Sequence, residues 1–373
     1  MHSKGIAWGM LFLCGILHSS ETSQTLKDAY RGKFVIGAAL NEAQITGRDA
    51  REAALVEQEF NSISPENALK WESVHPKPGV YSFDVPDRYV AFGAKHKMFV
   101  VGHTLIWHNQ TPEWVFRDEK GSLVDRETLL KRMHDHIATV VGRYKGRIQS
   151  WDVVNEVLND DGSLRQSLWL KIIGPDYIAK AFQYAHEADP KARLTYNDYS
   201  LENPVKRSGA LALIKMLKGE GVPITAVGLQ GHLSLTWPSI ADEDETVGAF
   251  ADAGVKVAIT ELDIDVLPRP DADHTAEVTR SIQQDPALNP YAGGLPEVVQ
   301  GQLAQRYKDL FRIYLKHRNA IDRVTLWGVT DADSWLNDWP VKGRTSYPLL
   351  FDRVGQPKMA HRSVLQAVEE VGQ

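Results

Sequence analysis

Eight short apolar runs rich in β-branched residues alternate along this chain with segments whose apolar residues recur at three and four, and this alternation is the tightest constraint on its fold. The runs are 34–40, 60–64, 98–105, 148–154, 192–196, 226–229, 255–260 and 323–327, each bounded by Gly, Asn or charged residues. Leu130, Met133, Ile137, Val140 and Tyr144 give one apolar face to the segment after the third run. Leu303, Tyr307, Leu310 and Tyr314 do the same before the eighth. Strand and helix in alternation predict a parallel sheet of the α/β class, and eight such units predict a closed (β/α)8 barrel, the TIM-barrel architecture. A barrel needs roughly 250 residues or more. No linker, repeat or shift in composition divides 24–373, so one domain with no appended module is expected there.

The stretch GIAWGMLFLCGIL at 5–17 follows Lys4 and precedes a polar run at 18–24, which reads as a secretory signal peptide over 1–23 with cleavage near 19–23. It is shorter than the ~20 apolar residues of a membrane-spanning helix. Leu13 stands before Cys14, where a lipoprotein processing site has a small residue. The expectation is a secreted monomer, extracellular or periplasmic, that leaves the membrane on cleavage and has no disulfide, because Cys14 is the one cysteine. The 42 basic and 48 acidic residues leave a net charge of −6 and no basic stripe, which argues against nucleic acid as a partner and suits a neutral substrate.

Chemistry-bearing residues fall at the C-terminal ends of the predicted strands, which form the catalytic rim of a barrel. His103 and Trp107 close the third run, Asn155 and Glu156 the fourth, 197–199 the fifth, Gln230 and His232 the sixth, Glu261 the seventh and Trp327 the eighth. Glu156 and Glu261 each directly follow an apolar strand. Two carboxylates facing each other across a barrel mouth can cleave a glycosidic bond, one as nucleophile and the other as general acid and then base. A gap of ~5.5 Å gives retention through a covalent intermediate, and a wider one that admits water gives inversion.

The segments SPENALKW (64–71), GHTLIWH (102–108), WDVVNE (151–156), GLQGH (228–232), ITELD (259–263) and Trp327-Gly328 occur in an order that resembles the glycoside hydrolase family 10 endo-1,4-β-xylanases over nearly the whole chain after residue 23. The resemblance implies a single catalytic barrel, no cofactor, no catalytic metal, and xylan and xylo-oligosaccharides as substrate. It also implies Glu156 as acid/base, Glu261 as nucleophile, and retention of configuration. Asn155 then serves the sugar at the cleavage site. Glu66, Asn67 and Lys70 form a polar triplet at the glycone end, and His103, Gln110 and Gln230 add hydrogen bonds. Trp107, Tyr199, Trp327 and Trp335 offer flat faces to pyranose rings. His232 and Asp263 look like a relay holding Glu261 ionised, with a neutral or proton-sharing imidazole whose tautomer Asp263 fixes. Glu156 needs a raised pKa, which burial and the charge of Glu261 would supply.

Trp71, Trp114, Trp151 and Trp169 read as packing residues. A metal-dependent barrel hydrolase is disfavoured because no His-x-His ends an early strand, and His134 and His136 face different directions on a helix. Asn109-Gln110-Thr111 matches a glycosylation acceptor by chance, and the acidic run 242–245 reads as a solvated loop or helix start. The Pro- and Asp-rich segment 267–296 predicts a flexible rim. Two alternatives stand beside the xylanase reading: another retaining barrel β-1,4-glucanase, and a carbohydrate-binding barrel without catalysis.

Overall fold

Strands buried on both faces are predominantly apolar, and the runs above become such strands, with a few buried polar residues that find partners inside the barrel. In the computed structural model, which describes residues 24–269 and 276–371, they are Val35–Leu40 (β1), Ser62–Pro65 (β2), Phe99–Ile106 (β3), Ser150–Asn155 (β4), Arg193–Asp198 (β5), Ala226–Leu229 (β6), a short His232–Ser234 (β7), Lys256–Asp265 (β8) and Ile321–Leu326 (β9). The signal segment read at 1–23 lies outside the described residues. All neighbouring strands pair in parallel, and because β1 pairs with β9 and β6 with β8, eight of them close into a barrel with helices between successive strands.

Close packing inside the barrel depends on two glycines. A Cβ on Gly102 would lie 2.2 Å from the Trp151 ring, and one on Gly228 would lie 2.3 Å from Asn197 Oδ1. Neither neighbour can yield, so these positions seat a buried tryptophan and a buried amide. Arg323, only 1 % exposed, enters the barrel and is held by Ser150 Oγ at 3.2 Å and Asp152 Oδ1 at 3.3 Å. A buried cation survives there because it is paired.

The helix Arg126–Arg143 begins at Asp125, whose carboxylate accepts from the Thr128 backbone N–H. It buries Leu129, Met133, Ile137 and Val140, so its inner stripe is centred on Leu129, with the sequence-picked Leu130 beside it and half-buried. His136 points into the core and His134 outward. The acidic run 242–245 does open a helix, Ile240–Asp252 capped by Ser239, but Glu243 is buried rather than solvated. The seventh predicted strand continues five residues past Thr260, because Gly231, at φ 76°, turns the chain so that β7 replaces β6 as the ladder partner of β8 beyond the barrel rim.

Under the loop that follows β2, Trp71 stacks on His136 at 3.6 Å and His75 stacks on Tyr81 at 3.8 Å, while the two imidazoles approach at 3.2 Å between Nδ1 atoms. Burial holds His75 down at about 4 and His136 well below the ordinary histidine range. The unfolded chain therefore binds these protons before the folded one does. The stability this stack confers is complete above pH about 6.5 and drains away as the pH falls toward 4. Tm measured from pH 7 to 4 should drop more steeply for the native protein than for His136→Phe; equal slopes would show that the stack does not govern acid stability.

Candidate active site

The C-terminal ends of β3, β4, β6, β8 and β9 and the loop after β2 converge on one cavity. It is lined by Glu66, Lys70, His103, Trp107, Gln110, Asn155, Glu156, Gln230, His232, Glu261, Trp327 and Trp335, with Ala276 and Val278 added from the loop after β8. Both central carboxylates are almost fully buried at the floor.

Glu156 stands one residue beyond β4 at φ 58°, a left-handed conformation that a non-glycine residue adopts only under constraint. Its backbone N–H donates to Asn197 O at 2.9 Å. Trp107 Nε1 donates to Oε2 at 2.8 Å, Gln230 Nε2 to Oε1 at 3.1 Å and Asn155 Nδ2 to the same oxygen at 3.3 Å. Burial nonetheless dominates and raises the carboxyl above its ordinary range; Asp198 adds to the rise, while His108 and the donors of Trp107 and Gln230 oppose it.

Glu261 is shifted the other way. Burial alone would raise it, but the hydrogen bond from His232, the charges of His103 and His232 and the Asn197 amide outweigh that cost and hold it below the ordinary range. His232 Nε2 lies 3.2 Å from Glu261 Oε2, and its Nδ1 lies 3.1 Å from Asp263 Oδ1. Desolvation disfavours the imidazolium, yet Asp263 and Glu261 together push His232 up to about 10. The relay expected from sequence is therefore present, and a carboxylate against each ring nitrogen favours the protonated ring. Trp335 Nε1 donates to Asp263 Oδ2 at 2.7 Å and fixes the outer end. Replacing His232 with Ala removes both a donor and a positive charge from Glu261, so the acid limb of the kcat/KM–pH profile should move to higher pH. An unmoved limb would sever His232 from the nucleophile's ionisation.

On the opposite side, Lys70 Nζ donates to Asn67 Oδ1 at 3.0 Å and lies 4.9 Å from the Trp107 ring centroid. Burial lowers its pKa, opposed by the surrounding carboxylates of Glu261, Glu66, Glu156 and Glu72. Burial likewise raises Glu66. Asn67 is absent from the cavity lining and acts through Lys70 and Glu66, to which its amide donates at 3.2 Å. Gln110 lines the cavity at φ 46° and donates to Glu72 at 3.1 Å. His103 is held by Asp152 at 3.0 Å and meets the Trp327 ring edge-on at 5.4 Å.

Tyr199, expected as a sugar platform, lies beside the cavity rather than among its lining residues. Its ring is covered by Lys206 Nζ at 3.4 Å, and its hydroxyl accepts from Arg165 at 2.8 Å. Trp71, Trp151 and Trp169 pack in the core as read, and Trp114 is half-buried against it. Trp169 also donates to Trp107 O at 3.0 Å, behind the tryptophan that touches Glu156.

Asn197, placed at the rim by the sequence reading but given no role there, connects the two carboxylates. Its Nδ2 donates to Glu261 Oε1 at 2.7 Å and to Asn155 Oδ1 at 2.9 Å, while its Oδ1 accepts from Thr260 at 2.6 Å. The signal was available, since Asn197 follows Tyr196 just as Asn155 follows Val154, and Gly228 leaves room for it. Arg165 and the 276–279 segment carried no comparable signal.

Residues 25–367 match the family described as glycosyl hydrolase family 10. The chain is 44 % identical over 359 residues to endo-1,4-beta-xylanase A of Xylanibacter ruminicola, covering 96 % of this chain and 97 % of that one. It is 41 % identical over 342 residues to an endo-1,4-beta-xylanase of Geobacillus stearothermophilus, covering 90 % and 96 %. Among solved structures, a GH10 endoxylanase retrieved from a sugarcane soil metagenome superposes with a TM-score of 0.90 at 51 % identity, covering 91 % of this chain and 99 % of that one. With a closed parallel barrel, two buried carboxylates at its C-terminal mouth and matches along nearly its full length, this chain belongs to glycosyl hydrolase family 10.

Proposed function

We propose that this protein is a retaining endo-1,4-β-xylanase in which Glu156 is the acid/base and Glu261 the nucleophile. The observation that carries the assignment is two buried carboxylates in one cavity with different surroundings: Glu261 lies between His232 and Asn197, which favour its ionised form, while at Glu156 burial outweighs the donors of Trp107 and Gln230 and favours the protonated form. Such a pair divides acid from nucleophile without further machinery. Glu261 attacks the anomeric carbon while the Glu156 proton passes to the glycosidic oxygen, so the C–O bond to the leaving sugar breaks as the glycosyl–Glu261 ester forms. Glu156, now a carboxylate, takes a proton from water as that water attacks the same carbon and releases Glu261. Two inversions leave the configuration unchanged. Xylan as substrate is supported by the endo-xylanase names of the relatives and by the Glu66, Lys70 and Trp335 side chains that line the cavity at the proposed glycone end. The apolar 5–17 stretch supports export, which N-terminal sequencing of the mature protein would test.

The decisive experiment follows product lengths and anomeric configuration by NMR on unbranched xylan and on carboxymethylcellulose. Xylo-oligosaccharides of mixed length released first as the β-anomer are expected. Preferential cleavage of carboxymethylcellulose would favour a glucanase, an initial α-anomer would refute retention, and binding without cleavage would make this a carbohydrate-binding barrel.

A further inference from the structure

The loop after β8 returns to the cleft at residues 276–279. Ala276 and Val278 line the cavity, while the Glu277 side chain between them turns away toward the elements that carry Glu156. Glu277 Oε2 accepts from Arg165 Nη1 at 2.7 Å and lies 3.7 Å from His108 Nε2, and Oε1 lies 3.4 Å from Asn109 Nδ2. The Thr279 hydroxyl donates to Glu277 Oε1 at 3.1 Å, and Trp339 Nε1 donates to the Glu277 carbonyl at 3.2 Å, so the segment is anchored at both its side chain and its backbone.

Arg165 uses each arm of its fork separately. Nη1 holds Glu277, Nη2 donates to the Tyr199 hydroxyl at 2.8 Å, and Nε donates to the main-chain carbonyl of Glu156 at 2.9 Å. That last contact matters because Glu156 occupies a left-handed backbone conformation whose cost must be met by surrounding contacts. One of these is its own N–H on Asn197 O, and the other is Arg165 on its carbonyl. A planar guanidinium oriented by a carboxylate and a phenol is a rigid brace.

Resting on the xylanase reading above, we propose that Glu277 is a positioning residue that acts through Arg165 to set the backbone, and hence the proton-donating geometry, of Glu156. Its neighbours Ala276 and Val278 add apolar surface to the cavity wall. The loop after the nucleophile strand thus aligns the acid on the facing strand. Removing the Glu277 charge also leaves Arg165 unbalanced beside Glu156, whose other charged neighbours are His108, Asp198 and, across the cleft, Lys70. The added positive field favours ionised Glu156.

The test compares native protein with Glu277→Ala and Glu277→Gln on xylohexaose, whose leaving sugar needs protonation, and on 2,4-dinitrophenyl β-xylobioside, whose leaving group does not. Glu277→Ala should lower kcat/KM for xylohexaose about tenfold, mainly through kcat, and that for the aryl glycoside less than about twofold. The basic limb of its pH profile should shift to lower pH, and Glu277→Gln, which keeps the shape but not the charge, should fall less. Equal losses on both substrates, no loss on either, or a rise in KM alone would overturn the proposal. If Glu277→Ala does not fold, as judged by Tm and circular dichroism, the same outcomes are read from Glu277→Gln. Native protein that leaves xylohexaose intact would overturn the substrate assignment, and this inference with it, whereas native cleavage with unaltered variants refutes the positioning role alone.

Discussion

Glu261→Ala is expected to lower turnover by at least ~10⁴-fold on every substrate, aryl glycosides included, because it removes the carboxylate proposed to form the glycosyl ester. The downward-shifted carboxylate is held by His232 on Oε2 and Asn197 on Oε1, and alanine leaves those donors facing an empty space large enough for a small anion. Azide added to this variant should restore cleavage of a dinitrophenyl xylobioside in one displacement, giving the α-glycosyl azide. A β-azide product, or activity within tenfold of native, would mean that Glu261 is not the nucleophile.

Glu156→Ala should separate the two half-reactions. Xylan cleavage is expected to fall by ~10²–10⁴-fold, the usual contribution of general acid–base catalysis. An aryl glycoside with a good leaving group should still form the ester at Glu261, giving a burst of released phenol followed by a slow steady state, since no base remains to take a proton from water. Azide, which needs no base, should relieve the slow step and yield the β-glycosyl azide. The variant should also lose the basic limb of the kcat/KM profile, which reports ionisation of the upward-shifted Glu156. Loss of aryl-glycoside cleavage as complete as in Glu261→Ala would refute this division of roles.

Period and position explain why most of the barrel could be read from the chain. Each run buried on both faces is mostly apolar, and a polar residue directly after such a run falls at the rim, which is how Glu156, Gln230 and Glu261 came into view. Where the sequence reading failed, the missing information was three-dimensional. Tyr199 directly follows β5, but only the fold shows Lys206 against its ring and Arg165 on its hydroxyl. The protonation preference of His232 depends on two carboxylates at once, and only the fold places Asp263 and Glu261 on either side of the ring. Glu277 lies in a stretch with no periodicity, and its bond to Arg165 joins residues 112 positions apart.

Asn197 carries a consequence for engineering. One amide nitrogen is shared between the support of the acid and the support of the nucleophile, through Asn155 on one side and Glu261 on the other. On the proposed roles, a substitution that moves this amide is expected to affect both half-reactions. Substitutions chosen separately to hasten formation and breakdown of the intermediate will not combine additively when both pull on that amide. Because its two N–H groups serve both acceptors at once, a shift of either partner moves the amide that the other relies on.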